Sequence, residues 1–340
     1  MPTTTPGAGE ILVRVSCVTI CTSDLHTHAG RRHGPMPTVL GHEVLGRIEA
    51  FGNGSSRTDA RGMELHAGDR ITWTVSASCG HCFFCHDRLP QKCETLFKYG
   101  HEKIREGRQL VGGLADHVMV LPGTACFRVP HVLSDTEAAP VNCATATVAG
   151  VLRTGGPTGI ANRCVLIFGA GTLGLTAAAM ARTAGATAVI VVDPDEGRRE
   201  RAKAFGATHA VSAERDAIVE ATGPRGADLV LELAGSASAV EASIAHTRIG
   251  GTVILAGTVL PTPAIPLAPE RVVRNMLTLK GVHNYAPEDL GVAIDFLAGS
   301  GQAFPFRELI ARSFPLEEID QAFAHAHANP GRRVAVMPAK

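Results

Sequence analysis

The chain has 340 residues, 45% of them apolar and 19% charged, and its acidic and basic groups balance to a formal net charge of zero. That length exceeds the roughly 250–300 residues that a single hydrophobic core sustains, so two domains are expected. Balanced charge excludes a nucleic-acid or membrane-surface binder, either of which needs a basic excess, and no apolar run reaches the ~20 residues of a membrane span.

In chain order, the opening "MPTTTPGAGE" carries neither the charged flank nor the apolar core of a signal peptide, so the chain reads as cytoplasmic with reduced thiols. Up to about residue 135, "GEILVRVSCVTI", "VLGHEVLGRIEAFG", "GDRITWTV" and "LADHVMVLP" read as short strands punctuated by glycine and proline. The polar stretch from Gly52 to Asp69 reads as a solvated loop. At residues 79–93, "CGHCFFCHDRLPQKC" spaces Cys79, Cys82, Cys85 and Cys93 as C-x2-C-x2-C-x7-C. Disulfides would need an oxidising compartment, and unrelated buried thiols would not cluster among Gly80, His81, His86 and Asp87. Four thiolates on so short a segment can reach the corners of one tetrahedron, which is the donor set of a structural zinc site. With every corner filled, such a metal staples the fold and leaves no place for chemistry.

From about 136 to 286 the pattern changes. "RCVLIF", "AVIVVD", "DLVLELAG", "TVILAG" and "LTLKGVH" are apolar runs that alternate with helical stretches, among them one through "SASAVEASIAHTRIG", which predicts a doubly wound parallel sheet. The first run enters "GAGTLG". There Gly169 permits a tight turn, Gly171 lets backbone approach a pyrophosphate, and Gly174 allows close helix–strand packing, while Thr172 and Leu173 open the helix whose amides face the phosphates. Asp193 ends the second run and is placed for the adenosine ribose, where its charge would repel a 2′-phosphate and favour NAD over NADP. Arg198 lies toward the same ribose, and with Arg199 it leaves NADP use open. Residues 287–340 carry two amphipathic helical stretches and a last strand, "RRVAVMP", expected to return to the first domain.

Two further segments hold good ligands: "CTSDLH" with Cys21, Ser23, Asp24 and His26, and "GHE" with His42 and Glu43. Taken singly, Cys21 reads as core and His42 as a turn cap. Together with the cysteine lobe, "GGLADHV" and the glycine turn, in this order, they resemble the zinc-dependent medium-chain alcohol dehydrogenase family over nearly the whole chain. The resemblance implies an α/β protein with a GroES-like, β-rich catalytic domain (1–135, joined by 287–340) and a Rossmann NAD-binding domain (136–286). It implies two zinc ions per chain. Cys21, His42 and Cys143 match the catalytic ligands, and Glu43 matches a carboxylate able to approach or replace one of them. Ser23 and His26 match a proton relay, and Asp24 matches either an orienting group or a turn cap. The implied reaction passes a hydride between an alcohol and NAD, zinc easing loss of the alcohol proton.

The implied partners are a small alcohol or its aldehyde or ketone and further copies of the chain, as a homodimer or homotetramer. Thr22 departs from the arginine that some members carry toward the cofactor phosphates. Cys17, Cys126 and Cys164 match no ligand and are expected to be buried thiols. "RLPQKCETLFKYGHEK" and "KGVHNYAPEDL" resemble a subgroup associated with phosphonate catabolism. That would give the substrate an anionic group for Arg31, Arg32, Lys98 or Lys103 to meet. Other readings are a dehydrogenase of polyols or other small alcohols, a zinc-independent reductase of the same fold, for which the Cys21, His42 and Cys143 set would have to be missing, and a non-catalytic NAD(H)-binding redox sensor.

Overall fold

The computed structural model describes residues 5–155 and 159–338; Met1–Thr4, the start of the segment read above for a signal peptide, lie outside the described residues. The chain divides into two compact units. One takes the chain through Ala146, then Ala286–Ala298 and the segment from Phe306 onward; the other takes Thr147–Tyr285 and Gly299–Pro305.

In the first unit, β1 (Ile11–Ile20) is the central strand, and its run "ILVRVSCVTI" is buried at nearly every position rather than at alternate ones. The remaining strands are β2 (Glu43–Phe51), β3 (Arg70–Trp73), β4 (Ser76–Ala77), β5 (Phe97–Lys98), β6 (His117–Val120) and β7 (Cys126–Arg128), with β14 (Ile310–Pro315) and β15 (Arg333–Met337) from the end of the chain. The large sheet runs β14-β15-β1-β2-β3-β7, with β6 also on β1, and β4 pairs β5 separately. Its core gathers Val13, Val18, Ile20, Val44, Ile48, Ile71, Trp73, Val334 and Val336. Register matters for the site: Thr19 lies opposite Glu43 across β1 and β2, and Ile20 lies opposite Val334 across β1 and β15. Thr19, Glu43 and Arg333 are thereby brought to one end of three adjacent strands.

One segment of this unit behaves as expected and one strand is new. The stretch from Gly52 to Asp69 is the expected solvated loop, with most of its residues exposed, and within it Ser55, Asp59 and Leu65 are buried. Asp59 accepts from the amides of Arg61 and Met63 (2.8 and 2.9 Å) and from that of Arg128 (3.2 Å). Polar composition there goes with a loop that faces solvent and, at Asp59, satisfies its own backbone. The segment 287–340 adds a strand besides the expected last one: β14 is an edge strand without apolar alternation, and Phe314 is its one buried residue.

The second unit is a six-stranded sheet in the order β10-β9-β8-β11-β12-β13. It comprises β8 (Cys164–Phe168), β9 (Ala188–Val192), β10 (His209–Val211), β11 (Ala227–Glu232), β12 (Thr247–Leu255) and β13 (Thr278–Gly281), all paired in parallel. The chain runs outward from β8 to β10 and then restarts at β11 on the other side, so the order reverses between β8 and β11. Open sheets of this kind bind ligands at that crevice, beyond the carboxyl ends of the strands. The helix read through "SASAVEASIAHTRIG" ends at Ala245, and Thr247 already pairs with Ala227. Thr247 and Ile249 are β-branched and Gly250 and Gly251 follow them, which favours strand over helix. Cys17 and Cys126 are buried as expected, whereas Cys164, at the start of β8, is only partly so. Among the described residues no helix is long and apolar enough to cross a membrane.

Candidate active site

The sulfurs of Cys21 and Cys143, the His42 imidazole and the Glu43 carboxylate each offer an atom within 4.8 Å of the other three. Cys21 follows β1 directly and is the N-cap of the helix Thr22–His28. His42 and Glu43 stand at the start of β2, and Cys143 follows the short turn Ala139–Asn142. Asp24, fully buried, does both jobs left open for it. One carboxylate oxygen accepts from the Cys21 amide at 2.9 Å, capping the helix. The other accepts from the Gly41 amide at 3.3 Å and lies 3.3 Å from Nδ1 of His42. A carboxylate behind one ring nitrogen orients the ring and leaves Nε2 to serve as the ligand. Gly41 is required at its position: its φ is +92°, and a Cβ there would sit 2.8 Å from the Leu114 amide.

Glu43 is held from two directions. Thr19 Oγ1 donates to Oε2 at 2.6 Å, while Arg333 Nε donates to Oε2 and Nη2 to Oε1, both at 2.8 Å. Arg333 Nη2 also donates to Cys21 Sγ at 3.5 Å. Arg333 is nearly inaccessible, at 3% exposure.

The electrostatics follow from this packing. A hydrogen bond from Cys143 holds the Cys21 thiol well below the usual range, with Arg333 and His42 helping against the effect of burial. Cys143, partly buried on the other side of that bond, is held well above it by that bond and then by its loss of solvent. Burial pushes Glu43 up to about 7, with Arg333 opposing. Burial also works against a charged His42, but Asp24 and Cys21 outweigh it and raise the imidazole to about 10. His101 packs its ring 5.1 Å from that of His42, and burial, His42 and Lys98 drive it down to about 2, so it stays neutral.

Two thiols and an imidazole backed by a carboxylate suit zinc with one coordination place left for a ligand. In the lobe, Cys79, Cys82, Cys85 and Cys93 likewise fall within 4.8 Å of one another. Their sulfurs lie 4.0 Å apart for Cys79 and Cys85 and 3.9 Å for Cys82 and Cys93, about the edge length of a tetrahedron of thiolates around one zinc and far beyond a disulfide.

Ser23 Oγ lies 3.4 Å from His42 Nε2. His26 is one helical turn further on, with Nδ1 buried and without a hydrogen-bond partner, and no hydrogen bond among the described residues joins it to Ser23. Of the four cations considered for an anionic substrate, Arg31 and Lys103 are exposed and Arg32 and Lys98 are half-buried.

At the glycine turn, Gly169 has φ +98°, and a Cβ on Gly174 would lie 1.7 Å from Gly169 O, so helix and strand touch there. A Cβ on Gly171 would meet nothing within 4 Å, which leaves a concavity at the helix start. Thr172 Oγ1 is buried there without a partner, and Leu173 continues the same turn of helix. Asp193 is fixed by amides, accepting from Ala170 (2.8 Å) and Asp195 (3.0 Å). Arg198 Nη1 lies 3.8 Å from it, whereas Arg199 is spent on the carbonyls of Asp193 and Pro194. An open cradle with an orphaned hydroxyl fits a dinucleotide pyrophosphate.

Arg333, Thr19, Asn142 and His101 were not legible as site residues. None stands in a motif, and their partners lie tens to hundreds of positions away.

Residues 7–131 match the family described as alcohol dehydrogenase GroES-like domain, and residues 172–299 match zinc-binding dehydrogenase. The chain is 30% identical over 332 residues to 5-exo-hydroxycamphor dehydrogenase of Pseudomonas putida, covering 95% of this chain and 90% of that one. It belongs to the zinc-dependent medium-chain alcohol dehydrogenase family. The alcohol dehydrogenase of Thermotoga maritima superposes on this dehydrogenase with a TM-score of 0.92 at 28% identity, over 100% of this chain and 94% of that one. A zinc-binding dehydrogenase of Sinorhizobium meliloti 1021, solved with NADP, gives 0.84 at 28% identity, over 99% and 94%. This dehydrogenase is therefore an oxidoreductase acting on CH–OH donors, its sheets are those of the GroES-like and Rossmann domains, and its two sulfur-bearing clusters fit a catalytic and a structural zinc.

Proposed function

We propose that the chain reversibly oxidises a small primary or secondary alcohol with NAD, using Cys21, His42 and Cys143 to hold the catalytic zinc. The observation that carries this is the convergence of those three ligands with Asp24 behind His42. When bound, zinc supplies Lewis acidity that eases loss of an alcohol proton, and the nicotinamide supplies the hydride chemistry.

The chain's own residues do the rest. Ser23, beside His42, accepts the alcohol proton, and His26 passes it toward solvent. Burial and then Arg31 lower the His26 pKa, so the ring is a neutral acceptor at neutral pH. Glu43 acts as a counter-charge next to the ligands. Cys79, Cys82, Cys85 and Cys93 brace the lobe around the structural zinc. Gly169, Gly171, Thr172, Leu173 and Gly174 cradle the pyrophosphate. Asp193 receives the ribose and favours NAD by repelling a 2′-phosphate, with Arg198 beside it.

A substrate bearing a phosphonate is the finer form of this reading. Its support is charge: Lys98 is lowered to about 8 by burial and then by Arg32, and it also feels the thiols of Cys143 and Cys21. A dianion would relieve that crowding of cations. Assembly as a homodimer or homotetramer is supported by the mostly exposed edge strand β13 and by the apolar Ile249, Val273 and Met276, each at least 66% exposed. A clean monomer mass by light scattering would reject it. Nine unpaired thiols suit a reducing cytoplasm.

The test is to incubate zinc-loaded protein with NAD and a panel of neutral, polyhydroxylated and phosphonate-bearing alcohols, following NADH absorbance. Absence of turnover with every alcohol would sink the reading, and preference for neutral alcohols would remove the phosphonate form alone.

A further inference from the structure

We infer that Glu232 is a fixed negative charge set beneath the nicotinamide half of the cofactor site, where it favours binding of NAD+ over NADH. The inference rests on the dehydrogenase reading for the identity of the cofactor.

Glu232 is the last residue of β11 and is fully buried. The amides of Ala234 and Gly235 donate to its Oε1 at 2.8 and 2.6 Å. The amide and the hydroxyl of Thr258 donate to its Oε2 at 3.1 and 2.7 Å. Both oxygens therefore accept twice, as an ionised carboxylate does. No ion pair among the described residues includes Glu232. Backbone packs on backbone around it and keeps side-chain cations out: a Cβ on Gly257 would lie 2.6 Å from Leu233 C and 2.7 Å from the Gly235 nitrogen, and one on Gly169 would lie 3.1 Å from Ala234. The charge nevertheless sits close under the surface of the crevice, since Ala234, in the loop it holds, is exposed.

Its place in the sheet says which half of a dinucleotide it meets. Asp193 stands just past β9 and the glycine turn follows β8, so adenosine and pyrophosphate take that side of the crevice. The nicotinamide half is left for the ends of β11 and β12. Its ring carries a positive charge in NAD+ and none in NADH, so a carboxylate without a cation stabilises the first and not the second. A neutral glutamine could satisfy three of the four donors without burying a charge, so lacing the two loops together does not by itself call for a carboxylate.

Dissociation constants of NAD+ and NADH, read by calorimetry on zinc-loaded protein without substrate, test this. Glu232→Gln should weaken NAD+ relative to NADH by about threefold to tenfold, the effect of one partly offset charge across a protein interior. ADP-ribose, which lacks the nicotinamide, should follow NADH. Glu232→Asp keeps the charge but shortens its reach to the loops, so it should weaken both cofactors and leave their ratio near that of wild type. If Glu232→Gln does not fold, Thr258→Val decides: it takes the hydroxyl from Oε2, leaves the charge less offset, and should shift the ratio toward NAD+. Equal weakening of NAD+ and NADH in Glu232→Gln, or a ratio moved as far by Glu232→Asp, overturns the inference and reduces Glu232 to a lace between loops. So does an unmoved ratio in Thr258→Val, where that variant decides. A wild type that binds neither cofactor would instead count against the dehydrogenase reading.

Discussion

Asn142 holds the main chain of His42 from a hundred residues further along the sequence: its Nδ2 donates to His42 O at 3.0 Å and to Trp73 O at 2.9 Å. Its Oδ1 accepts from the Val44 amide at 3.3 Å. Cys143 is the next residue, so this fully buried amide ties the main chain of one proposed ligand to that of another. Asn142→Leu would leave buried backbone groups unpaired, at a cost on the order of 3 kcal/mol. The variant should melt at lower temperature and lose its catalytic zinc more readily to a chelator. Unchanged melting together with unchanged metal retention would show that Asn142 does not register the two ligands.

Metal content separates the two clusters. Elemental analysis of carefully prepared protein should find two zinc ions per chain. Cys93→Ser should reduce thermal stability by opening the lobe, because a structural zinc site contributes on the order of 10 kcal/mol of folding free energy. Cys143→Ser should mainly reduce turnover. One zinc or none in the wild type would contradict this assignment.

Cofactor choice turns on Asp193. Two amides already hold its carboxylate in place, so its charge cannot swing away from an incoming 2′-phosphate. Placing like charges together costs several kcal/mol, and Asp193→Ser should narrow the preference for NAD over NADP by about tenfold or more. Some loss of stability should accompany it, since the Ala170 and Asp195 amides lose their acceptor. A wild type equally efficient with both cofactors would be incompatible with the role given to Asp193.

The relay makes a prediction about pH. Burial, then Arg31, keeps His26 below its ordinary pKa, so the ring remains a neutral proton acceptor further into acid than a free imidazole does. Removing it in His26→Gln should slow turnover by about 100-fold or less, because water can partly replace it. The loss should be greatest on the acid side of neutrality while the ring is still unprotonated, where hydroxide is scarce as a substitute acceptor, and should fade once acid protonates the ring; imidazole buffers should restore part of the rate. A pH–rate profile identical to wild type, with no buffer rescue, would reduce His26 to a packing role.

What could be read from the sequence is what short segments settle by themselves. The lobe needs four thiols on a short loop, and that spacing is visible in "CGHCFFCHDRLPQKC". Gly169 and Gly174 are visible because a tight turn and a touching helix both forbid a side chain within six residues of each other. Boundaries were harder. "HTRIG" reads as the end of a helix until Thr247 is seen paired with Ala227 on β11, and Leu65 reads as part of a solvated loop until its burial is known.

Sequence alone pointed to the kind of chemistry, through a family resemblance that makes Cys21, His42 and Cys143 the proposed ligands, and to the kind of fold, through the alternation of apolar runs and helices. Only tertiary structure decided how those ligands are held. Thr19, Glu43 and Arg333 meet because β15 and β2 flank β1 in one particular register, and Asn142 meets His42 because the turn before Cys143 packs on the start of β2. No local propensity specifies such a meeting. It is fixed by burying Val18, Ile20, Val44, Val334 and Val336 in a single core: a slip of one residue in either strand would turn those side chains out to water and carry Arg333 away from the carboxylate it neutralises.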